Sequence, residues 1–201
     1  MISKFINFTD EENKLIIKYF TDNFLIIFPL FKKLINYTFN RKFSIISNEE
    51  MKKFNSIPVN KKYKLKLPIV IYRGMTLSDK IIEKMKSEFK QNKKLTYNPK
   101  KQFSSWSMDK QSSEAFSSGD TKLIFISSLT EKIVYLDINL FYCICENLVL
   151  YLGNLKYDKK TKLSKDEQKL YSFLNDISDY LYGEKEILVF NKIEVNKIFT
   201  R

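Results

Sequence analysis

The chain has 201 residues, enough for one domain with a substantial core, and 44% of them are hydrophobic. Its 35 basic and 23 acidic side chains leave a net charge of +12, which favours anionic partners such as nucleic acid, acidic protein surfaces or anionic membrane. It contains no histidine, so Ser-His-Asp and Cys-His nucleophile systems and the H-E-x-x-H metalloenzymes are excluded.

Thr9-Asp10-Glu11-Glu12 has the spacing of a capping box and predicts a helix with Leu15, Ile16, Tyr19 and Phe20 on one face. Charged residues precede any apolar run and no small-residue cleavage site follows, so a signal peptide is not expected. The apolar run from Phe24 to Phe31 is too short to span a bilayer and runs into Lys32-Lys33. Ser47-Asn48-Glu49-Glu50 caps a further helix carrying Met51 and Phe54. Residues 1–60 are therefore predicted to form a helical lobe packed on a core of residues 61–201, within a single domain.

The charge-rich stretch from Asn60 to Lys64 leads into a strand over Leu67–Met75. Ser78-Asp79 caps a helix running through Ile81, Ile82 and Met85 to Phe89. The cationic run from Lys84 to Lys101 reads as a solvated helix face and loop. A loop holding Asn98-Pro99 precedes a short strand at Phe103–Ser107 and a helix from Asp109 to Phe116. Residues 122–127 and 133–137, rich in β-branched and aromatic side chains, predict strands. Phe141 to Leu152 suits helix or strand, with helix preferred. Within it Cys143 and Cys145 stand too close to bridge each other, and two thiols make no zinc site, so both are expected reduced and the protein intracellular. Ser164-Lys165-Asp166-Glu167 caps a helix to Ile177, and strands near 186–190 and 194–199 close an α+β chain.

Three segments carry candidate chemistry. Tyr72-Arg73-Gly74 ends the first strand, Phe103-Ser104-Ser105-Trp106-Ser107 forms the serine strand, and Glu184-Lys185-Glu186 opens an apolar strand. Carboxylates at i and i+2 of a strand share a face. Such a pair suits chemistry at an anomeric carbon, where one acid stabilises an oxocarbenium-like transition state and the other serves the acceptor. Taken alone it also suits a solvated strand edge. No metal-ligand cluster is expected.

In that order, an arginine at a strand end, an aromatic and serine-rich strand and a Glu-x-Glu resemble the arginine–serine–glutamate class of mono-ADP-ribosyltransferases, found among bacterial toxins, phage enzymes and vertebrate ecto-enzymes. The resemblance covers Tyr63 to Arg201. Trp106 stands where the family's serine motif usually has threonine, and strand alternation turns it away from the face shared by Ser105 and Ser107. The related histidine–tyrosine–glutamate class is excluded by the missing histidine.

The resemblance implies a split pair of small sheets with NAD as substrate in the cleft between them, and transfer of ADP-ribose to a protein arginine with release of nicotinamide. It implies Glu186 as the catalytic glutamate, Glu184 as the acid serving the acceptor, and Ser105 as the hydroxyl that holds Glu186. Arg73 would bind the NAD diphosphate beside Tyr72, Gly74 would admit a ligand close to the backbone, and Ser107 would contribute to the NAD site or cap the following helix. Tyr180 and Tyr182 would stack on nicotinamide or touch the target. The basic charge would suit a nucleic-acid-associated target protein; this chain itself is expected to have no membrane span, and the activity would be in the cytoplasm of the cell or of a host. A NAD glycohydrolase on the same scaffold and a basic nucleic-acid-binding protein without catalysis are the alternatives.

Overall fold

The computed structural model describes residues 6–40, 44–98, 103–117, 123–158, 161–178, 186–190 and 192–200. Among them are eight helices and one antiparallel sheet of seven strands, an α+β architecture. In chain order these are α1 (Asp10–Asp22), α2 (Phe24–Asn40), α3 (Asn48–Asn55), α4 (Asn60–Tyr63), β1 (Ile69–Met75), α5 (Asp79–Asn92), β2 (Leu95–Tyr97), β3 (Ser104–Ser107), α6 (Lys110–Ala115), β4 (Leu123–Leu129), β5 (Tyr135–Asp137), α7 (Ile138–Tyr157), α8 (Lys165–Ser178), β6 (Glu186–Val189) and β7 (Ile193–Thr200). They divide into two compact units, Met1–Lys64 with Leu140–Gly183 and Leu65–Asn139 with Glu184–Arg201. The helical unit is thus larger than the N-terminal lobe expected from sequence, because α8 and most of α7 belong to it.

The helical unit follows from its caps and its aromatic residues. Thr9 Oγ1 accepts from the Glu12 N–H at 3.2 Å while Glu12 Oε2 accepts from the Thr9 N–H at 2.9 Å, closing the box that starts α1. Ser47 with Glu50, and Ser164 with Glu167, close the same box at α3 and α8. Phe31 is fully buried, with the Phe20 ring 5.4 Å, the Phe141 ring 4.4 Å and the Phe173 ring 5.8 Å away, so one side chain joins α1, α2, α7 and α8. Truncating such a residue costs about 3–5 kcal/mol. Helix α7 is the one described helix long and apolar enough to cross a bilayer, a test that a core helix also passes. Phe141, Ile144, Cys145, Leu148 and Leu152, at helical spacing, are all fully buried, and Phe141 packs on Phe31 and Phe54, so α7 serves as the core helix of this unit.

In the second unit the strands run in the order β2-β7-β4-β1-β3-β6-β5. One face carries Ile71, Trp106, Leu123, Phe125, Leu129, Ile187, Val189 and Val195, which pack into a core with Ile82 of α5. The sheet curls strongly. The Tyr97 ring on β2 lies 6.0 Å from Trp106 on β3, four places along the sheet, where flat strands would stand ~19 Å apart. Strands β1 and β3 share a single register row, Tyr72 with Ser107. In place of the split pair of sheets that the family resemblance implied, the described strands form one sheet whose narrowest joint is that row. Strand β2 has no counterpart in the sequence reading; its three residues are too few to show a period of two.

Candidate active site

The three motif segments lie far apart in the chain, and the sheet brings two of them and part of the third together. β1, β3 and β6 are consecutive strands. Tyr72 pairs with Ser107, and Ser107 pairs with Glu186. Directly opposed residues of an antiparallel ladder project from the same face, so Tyr72, Ser107 and Glu186 make one row across three strands. Ser105, two residues along, shares that face and lies opposite Leu188. The residue facing Glu186 is therefore Ser107, not Ser105, which sits on the diagonal about 7–8 Å away at the backbone. Glu186 is only 7% exposed and Ser107 only 6%, so the row places a carboxylate and a hydroxyl in a water-poor site. Glu184, Tyr180 and Tyr182 lie outside the described residues.

Local hydrogen bonds hold β3 in place. Trp106 Nε1 donates to Ser104 Oγ at 2.8 Å, which gives the buried indole its partner on the core face. Trp106 thus fills the core from the side opposite Ser105 and Ser107, as alternation requires. Ser107 Oγ accepts from the Asp109 N–H at 3.0 Å, and Asp109 caps α6 by accepting from the Ser112 N–H at 3.0 Å. Ser107 therefore faces Glu186 and also turns the chain into α6.

Gly74 is explained by that helix. A Cβ built there would stand 1.8 Å from the Ser113 carbonyl oxygen, so only glycine lets the main chain of α6 lie on β1. The close approach at Gly74 is made by α6, where a ligand was expected from sequence.

Arg73 is one residue out of step with the row and so belongs to the opposite, core face, beside Phe125 in register. Its guanidinium lies 5.1 Å from the Tyr97 ring centre and donates through Nη1 to the Ser105 carbonyl. It thereby bridges β1 to β3 beyond their single paired row. Its Nε–H is buried with no hydrogen-bond partner, and among the described residues no carboxylate forms an ion pair with it. A buried, unpartnered donor costs about 1–3 kcal/mol, more on a charged group. At the β5 edge of the same face, burial and then the Asp137 charge push the Tyr135 phenol up, so it stays protonated at neutral pH.

What the site offers is a desolvated carboxylate backed by a hydroxyl on one face of β3, and an undersatisfied guanidinium on the other. No signal in the sequence could have told Ser107 from Ser105, because that choice depends on the β3–β6 register. Among the described residues no group of carboxylates and thiols is arranged to hold a metal ion. No family model, curated protein or solved structure matches the chain.

Proposed function

We propose that the chain is a mono-ADP-ribosyltransferase that cleaves the nicotinamide–ribose bond of NAD and transfers ADP-ribose to a protein arginine. The observation that carries this reading is the row Tyr72–Ser107–Glu186, which joins three motif segments spread over more than half of the sequence. Breaking a glycosidic bond to a good leaving group requires stabilisation of positive charge developing on the ribose. A carboxylate in a water-poor site does this better than one in water, because the low local dielectric strengthens its field. Glu186 takes that task, and Ser107, with Ser105 on the diagonal, orients it.

Arg73 supports the same reading from the phosphate side. A guanidinium with no counter-carboxylate among the described residues suits a diphosphate, whose charge it neutralises. Because Arg73 belongs to the other face of the sheet, it serves such a group only at the seam where β1 and β3 share one row. Glu184, two residues from Glu186, is assigned to the acceptor, since a second carboxylate pairs with an arginine guanidinium and helps remove its proton.

The test is incubation of the chain and a cell lysate with NAD labelled in its adenylate half. Both nicotinamide release and label on protein are expected. Nicotinamide release without protein label would instead make the chain a glycohydrolase. No release above that of Glu186→Gln would remove NAD chemistry altogether, and steeply salt-dependent nucleic-acid binding would then favour a binding protein.

A further inference from the structure

A second candidate site lies wholly within the helical unit and is independent of the row on β1, β3 and β6. Where α7 ends and α8 begins there is a cleft of about 490 Å³, lined by Lys156, Thr161, Lys162, Gln168, Tyr171 and Ser172 among others. That volume falls in the range of roughly 300–1,000 Å³ typical of small-molecule sites.

Its chemistry is one-sided. Among the described residues the lining holds two ammonium groups and no carboxylate, and neither lysine joins an ion pair. The Lys156 ammonium stands 4.9 Å from the Tyr171 ring centre. That ring lies beside α7, where a Cβ added at Gly153 would sit in ordinary van der Waals contact with it at 3.6 Å. Gln168 Nε2 donates to the Leu163 carbonyl at 2.9 Å, which fixes the side chain and leaves its carbonyl oxygen as an acceptor. The nearby Asp158 carboxylate accepts the Thr161 hydroxyl at 2.8 Å.

We infer that this cleft binds a small organic phosphate carrying a flat ring, of the nucleoside-phosphate type. The two lysines meet the phosphate as point charges, Tyr171 and Leu163 give the ring apolar contact, and Gln168 and Ser172 bond to hydroxyls between them. A cation or a neutral apolar ligand does not match a lining with two unpaired positive charges.

The experiment is calorimetric titration of the full chain with AMP, adenosine and inorganic phosphate, repeated on the double variant K156Q/K162Q and on Glu186→Gln. AMP is expected to bind saturably, with adenosine and the double variant each weaker by about tenfold or more, because each lacks one half of the charge pairing. Both lysines are exposed, so the double variant keeps the fold. Glu186→Gln is expected to bind AMP unchanged, and the double variant separates this cleft from the proposed NAD site, to which neither lysine belongs. No saturable AMP binding up to about 5 mM overturns the inference. So do equal affinity for adenosine, unchanged affinity in the double variant, and loss of AMP binding in Glu186→Gln. Phosphate binding alone at equal strength would overturn the role given to Tyr171.

Discussion

Ser107 stands directly across the β3–β6 ladder from Glu186, and both are more than nine-tenths buried. The serine hydroxyl is also the group that accepts the Asp109 N–H at the start of α6. Ser107→Ala is therefore expected to lower turnover of NAD more than Ser105→Ala, since Ser105 lies opposite Leu188. Steady-state rates for the two variants decide this. A larger loss at Ser105 would return to Ser105 the role that the family resemblance implied.

Glu186→Gln keeps the volume of the side chain and removes its charge. NAD cleavage is expected to fall about 10²-fold or more, of order 3 kcal/mol, with the circular dichroism spectrum unchanged. Near-normal cleavage by the folded variant would take Glu186 out of the mechanism.

Gly74→Ala puts a methyl group where the Ser113 carbonyl already sits, 1.8 Å from the new atom. The neighbour is backbone, so it cannot rotate away. A loss of roughly 1–3 kcal/mol in urea-denaturation stability is expected. Wild-type stability in this variant would show that α6 does not rest on β1 as described.

Arg73→Lys keeps the charge but loses the planar fork, its place over Tyr97 and the bridge to the Ser105 carbonyl. NAD affinity is expected to drop by about tenfold, with a stability loss of about 1 kcal/mol from the missing bridge. Binding measured by titration and unfolding measured by denaturant separate the two effects. Unchanged NAD affinity with reduced stability would make Arg73 a strand clamp only.

Acid stability has an identifiable origin in the helical unit. Glu12 is held below its ordinary 4.5 by the Lys62 ammonium at 2.6 Å, then by the Thr9 N–H and the Tyr63 hydroxyl. Burial pushes Glu50 up, but the Lys33 ammonium and Ser47 together outweigh it and hold it down. A carboxyl whose value is lower in the folded than in the unfolded chain contributes stability above the unfolded value and loses it as pH falls through the folded one. With no histidine to titrate, stability is expected to be flat from about pH 6 to 8 and to fall only below the ordinary carboxylate range. Denaturation midpoints across pH 3–8 measure this by about one unit at a time. Lys62→Met should shallow the acid limb, and an unchanged limb would assign it to other carboxylates.

The sequence by itself determined most of the elements, because their signals are local. The boxes at Thr9, Ser47 and Ser164 start helices in the structure where they were predicted, and the apolar runs at Ile69–Met75, Leu123–Leu129 and Glu186–Val189 are strands. Alternation along β3 is by itself enough to put Trp106 opposite Ser105 and Ser107. The tertiary structure decided what depends on partners. The β3–β6 register chose Ser107 to face Glu186, and the curl of the sheet brought Tyr97 of the unforeseen β2 against Arg73. The phase of β1 turned Arg73 away from the carboxylate that its motif shares with it in sequence, and α6 took the space beside Gly74. A one-residue step in pairing exchanges the faces of a whole strand, and that step is set by neighbours more than thirty residues away, so no local pattern records it.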